Sequence, residues 1–251
     1  MLVMGILNVT PDSFADGGKH NDFEAAIARG LEMIAEGVDI IDIGGESTRP
    51  GADRVSEEEE IARTIPVIAE LAKHGTPISI DTMRATTAEA AIKAGASIIN
   101  DVSGGLADSE MLQTAARLHV PYIAMHWRGQ SKDMNSKAVY EDVVSDVISE
   151  LYERIEAALD AGIQKDKLII DPGIGFAKDA EHNWAIIDAI DRFVELGYPV
   201  LVGASRKRFL GGDTPDEREQ ATIDLTKRLG TTGVWAVRVH SVKPHKEVLS
   251  S

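Results

Sequence analysis

Polar side chains follow the short apolar runs of the chain, and their types suit the binding of a heterocycle. Asn8 follows the first run, Asp81 and Asn100 the third and fourth, and Asp171 the sixth. Amide and carboxylate groups in one cavity offer donors and acceptors, which match a planar ring with an amide-and-amidine edge better than a hydrocarbon or a sugar. The sequence therefore predicts a site for such a ring.

Basic side chains after the same runs indicate a phosphate. They are Arg49, Lys207, Arg238 and His240. Each charge-assisted contact to a phosphate oxygen contributes on the order of 1.5–3 kcal/mol, so this set could hold a pyrophosphate despite the net charge of −15. Asn8, which precedes an Asp-rich segment, could help hold a hard cation such as Mg²⁺ on that group. Both sets together predict a phosphorylated heterocycle as ligand.

Some of these polar residues have a structural alternative, because Asp and Asn after a strand often cap a helix or close a turn. Asp42 and Asp101 each lie near a second polar residue and could instead orient backbone. His126 could equally be a packed, hydrogen-bonded histidine. His182 lies on a helical pattern and is interpreted as structural.

Two segments rich in turn-forming residues, 10–18 and 47–52, are predicted to be mobile loops over the site. Phe14 is the bulky apolar residue of the first segment. It would either pack into the protein or close over a ligand, and the sequence alone favours neither.

The elements that must position these residues alternate between β-branched runs and amphipathic stretches. The runs lie at 3–9, 39–43, 78–80, 97–100, 122–125, 168–171, 200–203 and 234–239. Apolar strands that alternate with helices predict a parallel sheet covered by helices, and eight such units favour a single (β/α)8 TIM barrel domain over residues 1–251. An open doubly wound sheet is the alternative, but no G-x-G-x-x-G follows the first run. The longest gap between runs can hold one long helix from about Tyr140.

The stretch from Ser56 shows how one helix is specified. Ser56 can cap it, Glu59 follows at capping-box spacing, and apolar residues at helical spacing run from Ile61 to Leu71. The acidic run 57–60 is therefore interpreted as a solvated first turn that complements the helix dipole, not as a ligand cluster.

Composition excludes several classes of function. The 251 residues include 41 acidic against 26 basic side chains, and the resulting charge of −15 would repel nucleic acids and anionic membranes. Cysteine is absent, which removes disulfides and thiolate catalysis. No apolar run is long enough to cross a membrane and no basic leader precedes the first run, so we expect a soluble, cytoplasmic enzyme.

The chain resembles the dihydropteroate synthases, the folate-pathway members of the pterin-binding barrel family. The matching segments, in order, are MGILNVTPDSFADGG, DIIDIGGESTRPGA, SIDTMRA, IINDVSGG, MHWRG, DPGIGFAK, VLVGASRKRFLG and VRVH. The resemblance implies a transferase that joins 6-hydroxymethyl-7,8-dihydropterin pyrophosphate to p-aminobenzoate, giving 7,8-dihydropteroate and pyrophosphate. It also implies that the site is a sulfonamide target.

The resemblance assigns roles to individual residues of this chain. The pterin pocket would consist of Asp81, Asn100, Met125, Asp171, Phe176 and Lys207. The pyrophosphate and its Mg²⁺ would be held by Asn8, Arg49, Arg238 and His240, with Asn8 as metal ligand. The p-aminobenzoate site would be formed by Phe14, Asp16, Thr48, Pro50 and Ser205. Asp81, Lys207 and Asp16 are the expected catalytic groups, while Asp42 and His126 take supporting roles.

One departure concerns assembly. The family forms dimers through C-terminal helices, so the resemblance implies a homodimer; here the last helix, expected from Val242 to Leu249 and broken by Pro244, is shorter than the family pattern. Two other functions compete: a methyltransferase that uses methyltetrahydrofolate, and a non-catalytic pterin-binding paralogue. Release of pyrophosphate would separate the synthase from both.

Overall fold

The strands of the protein form a parallel barrel. The computed structural model describes residues 1–10, 19–46, 55–129 and 134–250. The strands are β1 (Leu2–Asn8), β2 (Ile40–Gly44), β3 (Ile78–Asp81), β4 (Ile98–Asp101), β5 (Tyr122–Met125), β6 (Leu168–Asp171), β7 (Leu201–Val202) and β8 (Ala236–Val239). They pair in the order β6-β5-β4-β3-β2-β1-β8-β7. A parallel bridge between Ile170 and Val200 joins the two ends of that order, so the sheet closes.

Helices lie between the strands and cover the barrel. They are α1 (Lys19–Ala35), α2 (Glu57–Leu71), α3 (Ala85–Ala94), α4 (Met111–Leu118), α5 (Val143–Asp160), α6 (Ala180–Asp188), α7 (Ile190–Val194), α8 (Glu219–Leu229) and α9 (Lys243–Ser250). Within the described ranges, none of these helices is long and apolar enough to cross a membrane. The predicted (β/α)8 barrel is confirmed, including the long helix in the gap after β5.

The strands are apolar because both of their faces are buried. Residues on the outer face, such as Ile41, Ile99 and Ile170, pack in one cluster with the helices. The inner face forms a separate cluster, here called the lower layer, which consists of Met4, Ile40, Ile98, Ile123, Ile169, Leu201 and Ala236. Since side chains alternate along a strand, the residue two positions further on faces the same interior.

That next level is where the interior becomes polar. Here called the upper layer, it consists of Asp42, Asp81, Asn100, Met125, Asp171, Gly203 and Arg238, with Ile6 of β1 as a further apolar member in register with Asp42. Asp81 pairs in register with Asn100, and Met125 with Asp171. The carboxyl ends of the strands therefore converge on one polar level, as the sequence predicts for a rim site.

Helix α2 confirms one prediction and overturns another. The side chain of Ser56 accepts a hydrogen bond from the backbone N–H of Glu59 at 3.2 Å, which is the predicted cap. Glu60, interpreted as part of a solvated turn, is instead 1% exposed and paired with Arg84. The acidic run is therefore solvated only in part, because its last member turns towards the barrel and meets a cation on the segment after β3.

Helix α9 corrects a second expectation. Pro244 does not break it, because the residue lies in the first turn, where a helix needs no backbone N–H from it. The helix runs to Ser250, and His245 is its fully buried side chain, bonded to Thr226 Oγ1 at 2.8 Å.

Candidate active site

Arg238, on β8, binds side chains of β2 and β3 across the barrel interior. Its Nε donates to Asp42 Oδ2 and its Nη2 to Asp81 Oδ2, each at 2.6 Å. Burial raises the pKa of Asp81, and the nearby carboxylates of Asp42, Glu60 and Asp101 add to the rise, against the opposing charge of Arg238. The guanidinium therefore holds two buried carboxylates in place across the upper layer.

Asn100 has its amide orientation set by the same ion pair. Its Nδ2 donates to Asp42 Oδ2 at 3.0 Å, and a carboxylate can only accept. The amide oxygen of Asn100 must therefore point away from Asp42, where it can accept a bond from a ligand. The remaining oxygen of Asp42, Oδ1, is buried and has no hydrogen-bond partner within the described structure.

Asp171 ends β6 and faces the same interior. Its Oδ1 accepts from the backbone N–H of Gly173 at 2.7 Å, which fixes the carboxyl as the chain turns. Burial raises the pKa of Asp171, and the Gly173 bond together with Lys207, Lys178 and Arg238 acts in the other direction. This carboxyl adds another acceptor to the upper layer.

Lys207 reaches the upper layer from the segment after β7. Its Nζ donates to the carbonyl oxygen of Ile174 and lies 4.5 Å from the centre of the Phe176 ring. Burial lowers the pKa of Lys207 to about 8; Asp171 opposes this shift and Arg238 adds to it. A side chain at Gly175 would collide with the Lys207 stem, so this close approach depends on glycine at that position.

Ser205 and His240 form a pair beyond the ends of β7 and β8. The hydroxyl of Ser205 accepts from the His240 backbone N–H at 3.2 Å and lies 2.9 Å from His240 Nδ1. Arg206, between Ser205 and Lys207, has φ +58 and reaches Ser241 Oγ at 2.8 Å. This left-handed turn holds the two segments together and lets Ser205 and Lys207 serve neighbouring parts of the rim.

Asn8 is the last residue of β1 and is half-buried at the rim. It pairs in register with Gly44, which pairs with Asp81 on the next strand. No group of three His, Cys, Asp or Glu side chains converges on a metal position anywhere in the described ranges. Asn8 places an amide at the rim, and an amide oxygen is a kind of ligand that Mg²⁺ on a phosphate accepts.

The structure brings together most of the predicted site that it describes. Asp81, Asn100, Met125, Asp171, Phe176, Lys207 and Arg238 lie at or beside the upper layer, with Asn8, Ser205 and His240 on the rim. The other predicted residues lie outside the described ranges: Phe14, Asp16, Thr48, Arg49 and Pro50.

Two residues with open alternatives are resolved by their contacts. Asp101 orients backbone and a neighbour: it accepts from the N–H groups of Ser103 and Gly105 and from the hydroxyl of Tyr122. His126 is 1% exposed and is the packed, hydrogen-bonded histidine. Both are positioned by the outer wall of the barrel rather than by the upper layer.

Sequence reasoning underrated Asp42 and missed Lys178. Asp42 sits at the centre of the network with Arg238 and Asn100, and its position two residues beyond the lower-layer Ile40 was a usable signal. Lys178 lies on the loop that follows β6 and is 8% exposed, and neither composition nor periodicity distinguishes it from a surface lysine.

Comparison with known proteins assigns the chain to a family. The sequence profile described as pterin binding enzyme matches residues 4–240. The chain belongs to the pterin-binding enzyme family. A dihydropteroate synthase of Bacillus subtilis is 49% identical over 246 residues, which are 96% of this chain and 84% of that relative.

Solved structures agree with the sequence comparison. A dihydropteroate synthase of Xanthomonas albilineans with 4-aminobenzoic acid has a TM-score of 0.93 and 44% identity, covering 99% of this chain and 90% of the other. The same organism's enzyme in complex with 7,8-dihydropteroate has a TM-score of 0.90 and 41% identity, covering 99% and 91%.

These likenesses confirm the predicted family, and with it the dihydropteroate synthase function, a transferase function of folate biosynthesis. The roles of the individual residues, the magnesium ion, the sulfonamide sensitivity and the homodimer stay predictions.

Proposed function

We propose that the upper layer binds the pterin ring of 6-hydroxymethyl-7,8-dihydropterin pyrophosphate and that the rim joins its exocyclic carbon to p-aminobenzoate. The observation that carries this proposal is the bond from Asn100 Nδ2 to Asp42, because it turns the Asn100 oxygen towards the interior. With Asp81 and Asp171, the pocket then offers three acceptors to the amino and ring N–H groups of a pterin.

Lys207 and Phe176 complete the recognition of the ring. The ammonium, 4.5 Å from the Phe176 ring centre, supplies a donor to ring acceptors, while the aromatic face supplies apolar contact. Met125, 3% exposed at the end of β5, adds apolar surface on the same level. This combination of three acceptors, one cation and an apolar floor suits a flat, polar-edged ring.

The pyrophosphate would lie on the rim. Two of the five N–H groups of Arg238 are engaged by carboxylates, so others remain available to a phosphate oxygen. Asn8 is the last residue of β1 and His240 follows β8, and Arg49 is the further cation expected at the rim. Asn8 would contribute its amide oxygen to Mg²⁺, which when bound neutralises charge on the departing pyrophosphate.

The bond from the exocyclic carbon to pyrophosphate breaks and a bond from that carbon to the amine of p-aminobenzoate forms. The amine proton passes to the released pyrophosphate or to water, so the chemistry needs no general base among the residues of this chain. Asp81 and Asp171 place negative charge near the electron-poor carbon, and the cations stabilise the leaving group, which favours a dissociative substitution. Ser205 would form the floor of the p-aminobenzoate site, with Phe14, Thr48 and Pro50 as its expected walls and Asp16 as a further catalytic group.

The experiment is one incubation with both substrates and Mg²⁺, repeated with each component omitted. We expect 7,8-dihydropteroate and one equivalent of pyrophosphate only in the complete mixture, and competition by a sulfonamide against p-aminobenzoate. Exchange of labelled pyrophosphate into the pterin substrate without p-aminobenzoate would support the dissociative route. No product in the complete mixture would refute the proposed reaction.

A further inference from the structure

Lys178 is a buried lysine outside the set of ligand-facing residues. It lies on the loop between β6 and α6, residues 172–179, here called the β6–α6 loop, and it is 8% exposed. Its ammonium has a full set of acceptors: His126 Nδ1 at 2.9 Å, the Phe176 carbonyl at 3.0 Å and the Gly173 carbonyl at 3.1 Å. An ammonium has three N–H donors, so each of them has a partner.

The contact with His126 fixes the histidine's proton. Because the ionised Glu150 beside Nε2 can only accept, the ring proton of His126 lies on Nε2, and Nδ1 accepts from Lys178. Nε2 then donates to Glu150 at 2.9 Å, and Glu150 is held by Arg128. Burial lowers the pKa of His126 to about 4, which agrees with a neutral ring. Lys178 is therefore anchored to α5 through a defined chain of hydrogen bonds.

The other two acceptors of Lys178 belong to the part of the β6–α6 loop that faces the pterin side. Between Gly173 and Phe176 lies Ile174, whose carbonyl oxygen accepts from Lys207 Nζ, and the Phe176 ring lies below that same ammonium. Gly173 and Gly175 have φ +68 and +78, so this segment is neither helix nor strand. Its shape depends on side chains that bind its carbonyl groups.

Holding a cation at this place is costly, which argues for a role beyond packing. Burial lowers the pKa of Lys178 to about 7, with Asp171 and Glu150 favouring the cation and Lys207 and Arg128 opposing it. In the unfolded chain the pKa of Lys178 has its ordinary value of 10.5. Burying the ammonium at neutral pH therefore lowers the stability of the fold.

We infer that Lys178 is a positioning residue for pterin binding: its ammonium clamps the Gly173 and Phe176 carbonyls and so sets where the Ile174 carbonyl and Phe176 ring hold Lys207. The inference rests on the proposed function, since it assumes that Lys207 and Phe176 contact the pterin. Lys178, which lies behind the pocket, then contributes to the affinity for the pterin pyrophosphate and not to the affinity for p-aminobenzoate.

The first test compares Lys178→Met with Lys246→Met. Lys246 is also a partly buried, ion-paired lysine, but it binds Asp39 before β2, at the opposite end of the barrel. We expect Lys178→Met to raise the KM for the pterin pyrophosphate at least about tenfold, the loss of one charge-assisted bond, with the KM for p-aminobenzoate within about twofold. Lys246→Met should leave both values unchanged.

The second test keeps Lys178 and changes its anchor, in case Lys178→Met does not fold. His126→Asn places an amide oxygen where Nδ1 accepts, whereas His126→Leu removes the acceptor. We expect calorimetric affinity for the pterin pyrophosphate to be retained in the Asn variant and to fall severalfold in the Leu variant, and near-ultraviolet circular dichroism to show that both are folded.

Wild-type protein separates the two levels of failure. If it makes no dihydropteroate, the proposed function fails. If it is active and folded Lys178→Met or His126→Leu binds the pterin as wild type does, or loses both substrates equally, the positioning role is wrong.

Discussion

Strands that contribute to both the lower and the upper layer of the barrel interior place apolar side chains in the first and mostly polar ones in the second. Ile40, Ile123 and Ile169 in the lower layer are at most 5% exposed and belong to one apolar cluster. Two residues further along the same strands stand Asp42, Met125 and Asp171. One step of strand periodicity therefore separates the apolar part of the interior from the polar part that we propose to bind the pterin.

The difference is visible in ionisation. Burial raises the pKa values of Asp81 and Asp171 and lowers that of Lys207. Each of these groups is held in surroundings that disfavour its charged form, so each lowers stability in the ligand-free protein. The lower layer contributes stability through burial of apolar area and carries no such cost.

The largest expected effect is on activity in the upper layer. Asp81→Asn keeps the size of the side chain but removes the acceptor charge, so we expect kcat/KM for the pterin pyrophosphate to fall on the order of 100- to 1000-fold. The pKa of Asp81 is raised in the fold, so its ionised form costs stability as pH rises through that pKa. At pH of about 8 the variant should therefore unfold at the same or a higher urea concentration.

A drop in both activity and stability would show that Asp81 supports the barrel rather than the ligand. Wild-type activity in the variant would remove Asp81 from the site altogether.

The converse change lies in the lower layer. Ile123→Ala should lower the unfolding free energy by about 2–5 kcal/mol, because Ile123 is fully buried and its truncation leaves a cavity among packed side chains. Ile123→Val is the graded control, with about 0.5–1.5 kcal/mol. Urea titration gives both values, and kcat/KM per folded molecule should stay within about threefold of wild type. A large kinetic defect in the Val variant would mean that the two layers are coupled.

The sequence predicts the features of the two layers that follow from local patterns, but not those that depend on contacts between distant segments. Local patterns that repeat along the chain predict the barrel, the strand ends and the positions of Asn100, Asp171 and Lys207 at or beside the upper layer. Glu60 could not be predicted, because its partner Arg84 comes from a different segment and only the fold brings them together. Lys178 was missed because His126, which anchors it, comes from the segment after β5 and is brought to it only by the fold.

A change at Asp42 tests whether its hydrogen bonds to Arg238 and Asn100, which the sequence did not predict, matter for pterin binding. In wild type, Asp42 Oδ2 accepts from both Arg238 and Asn100. In Asp42→Asn an amide oxygen can take that place but carries no charge, so it holds the Asn100 amide less firmly in its orientation. We expect pterin affinity to fall about tenfold, the loss of one charge-assisted bond, with p-aminobenzoate affinity unchanged. Isothermal calorimetry with each ligand measures both.

Asp101→Asn is the matched control for that change, because Asp101 is a neighbouring buried carboxylate on the outer face of β4, bonded to Tyr122 and backbone. It should reduce stability and leave pterin affinity near wild type. If the two Asn variants behave alike, the orientation argument for Asn100 does not hold.

The smallest effect expected is a pH dependence that separates binding from stability. Lys207 has a pKa of about 8 in the fold and an ordinary value of 10.5, so raising the pH from about 8 to 10 removes its proton only in the folded protein. Pterin binding should weaken over that range as the ammonium is lost, while the contribution of Lys207 to stability should rise, because the cost of burying its charge disappears.

Lys207→Arg keeps the charge and should abolish the change near pH 8 in both profiles. Lys178→Met removes a different titrating group and should retain that change. Profiles of kcat/KM and of urea midpoints over the same pH values check this, and midpoints unchanged by Lys207→Arg across this range would show that the buried ammonium carries no such cost.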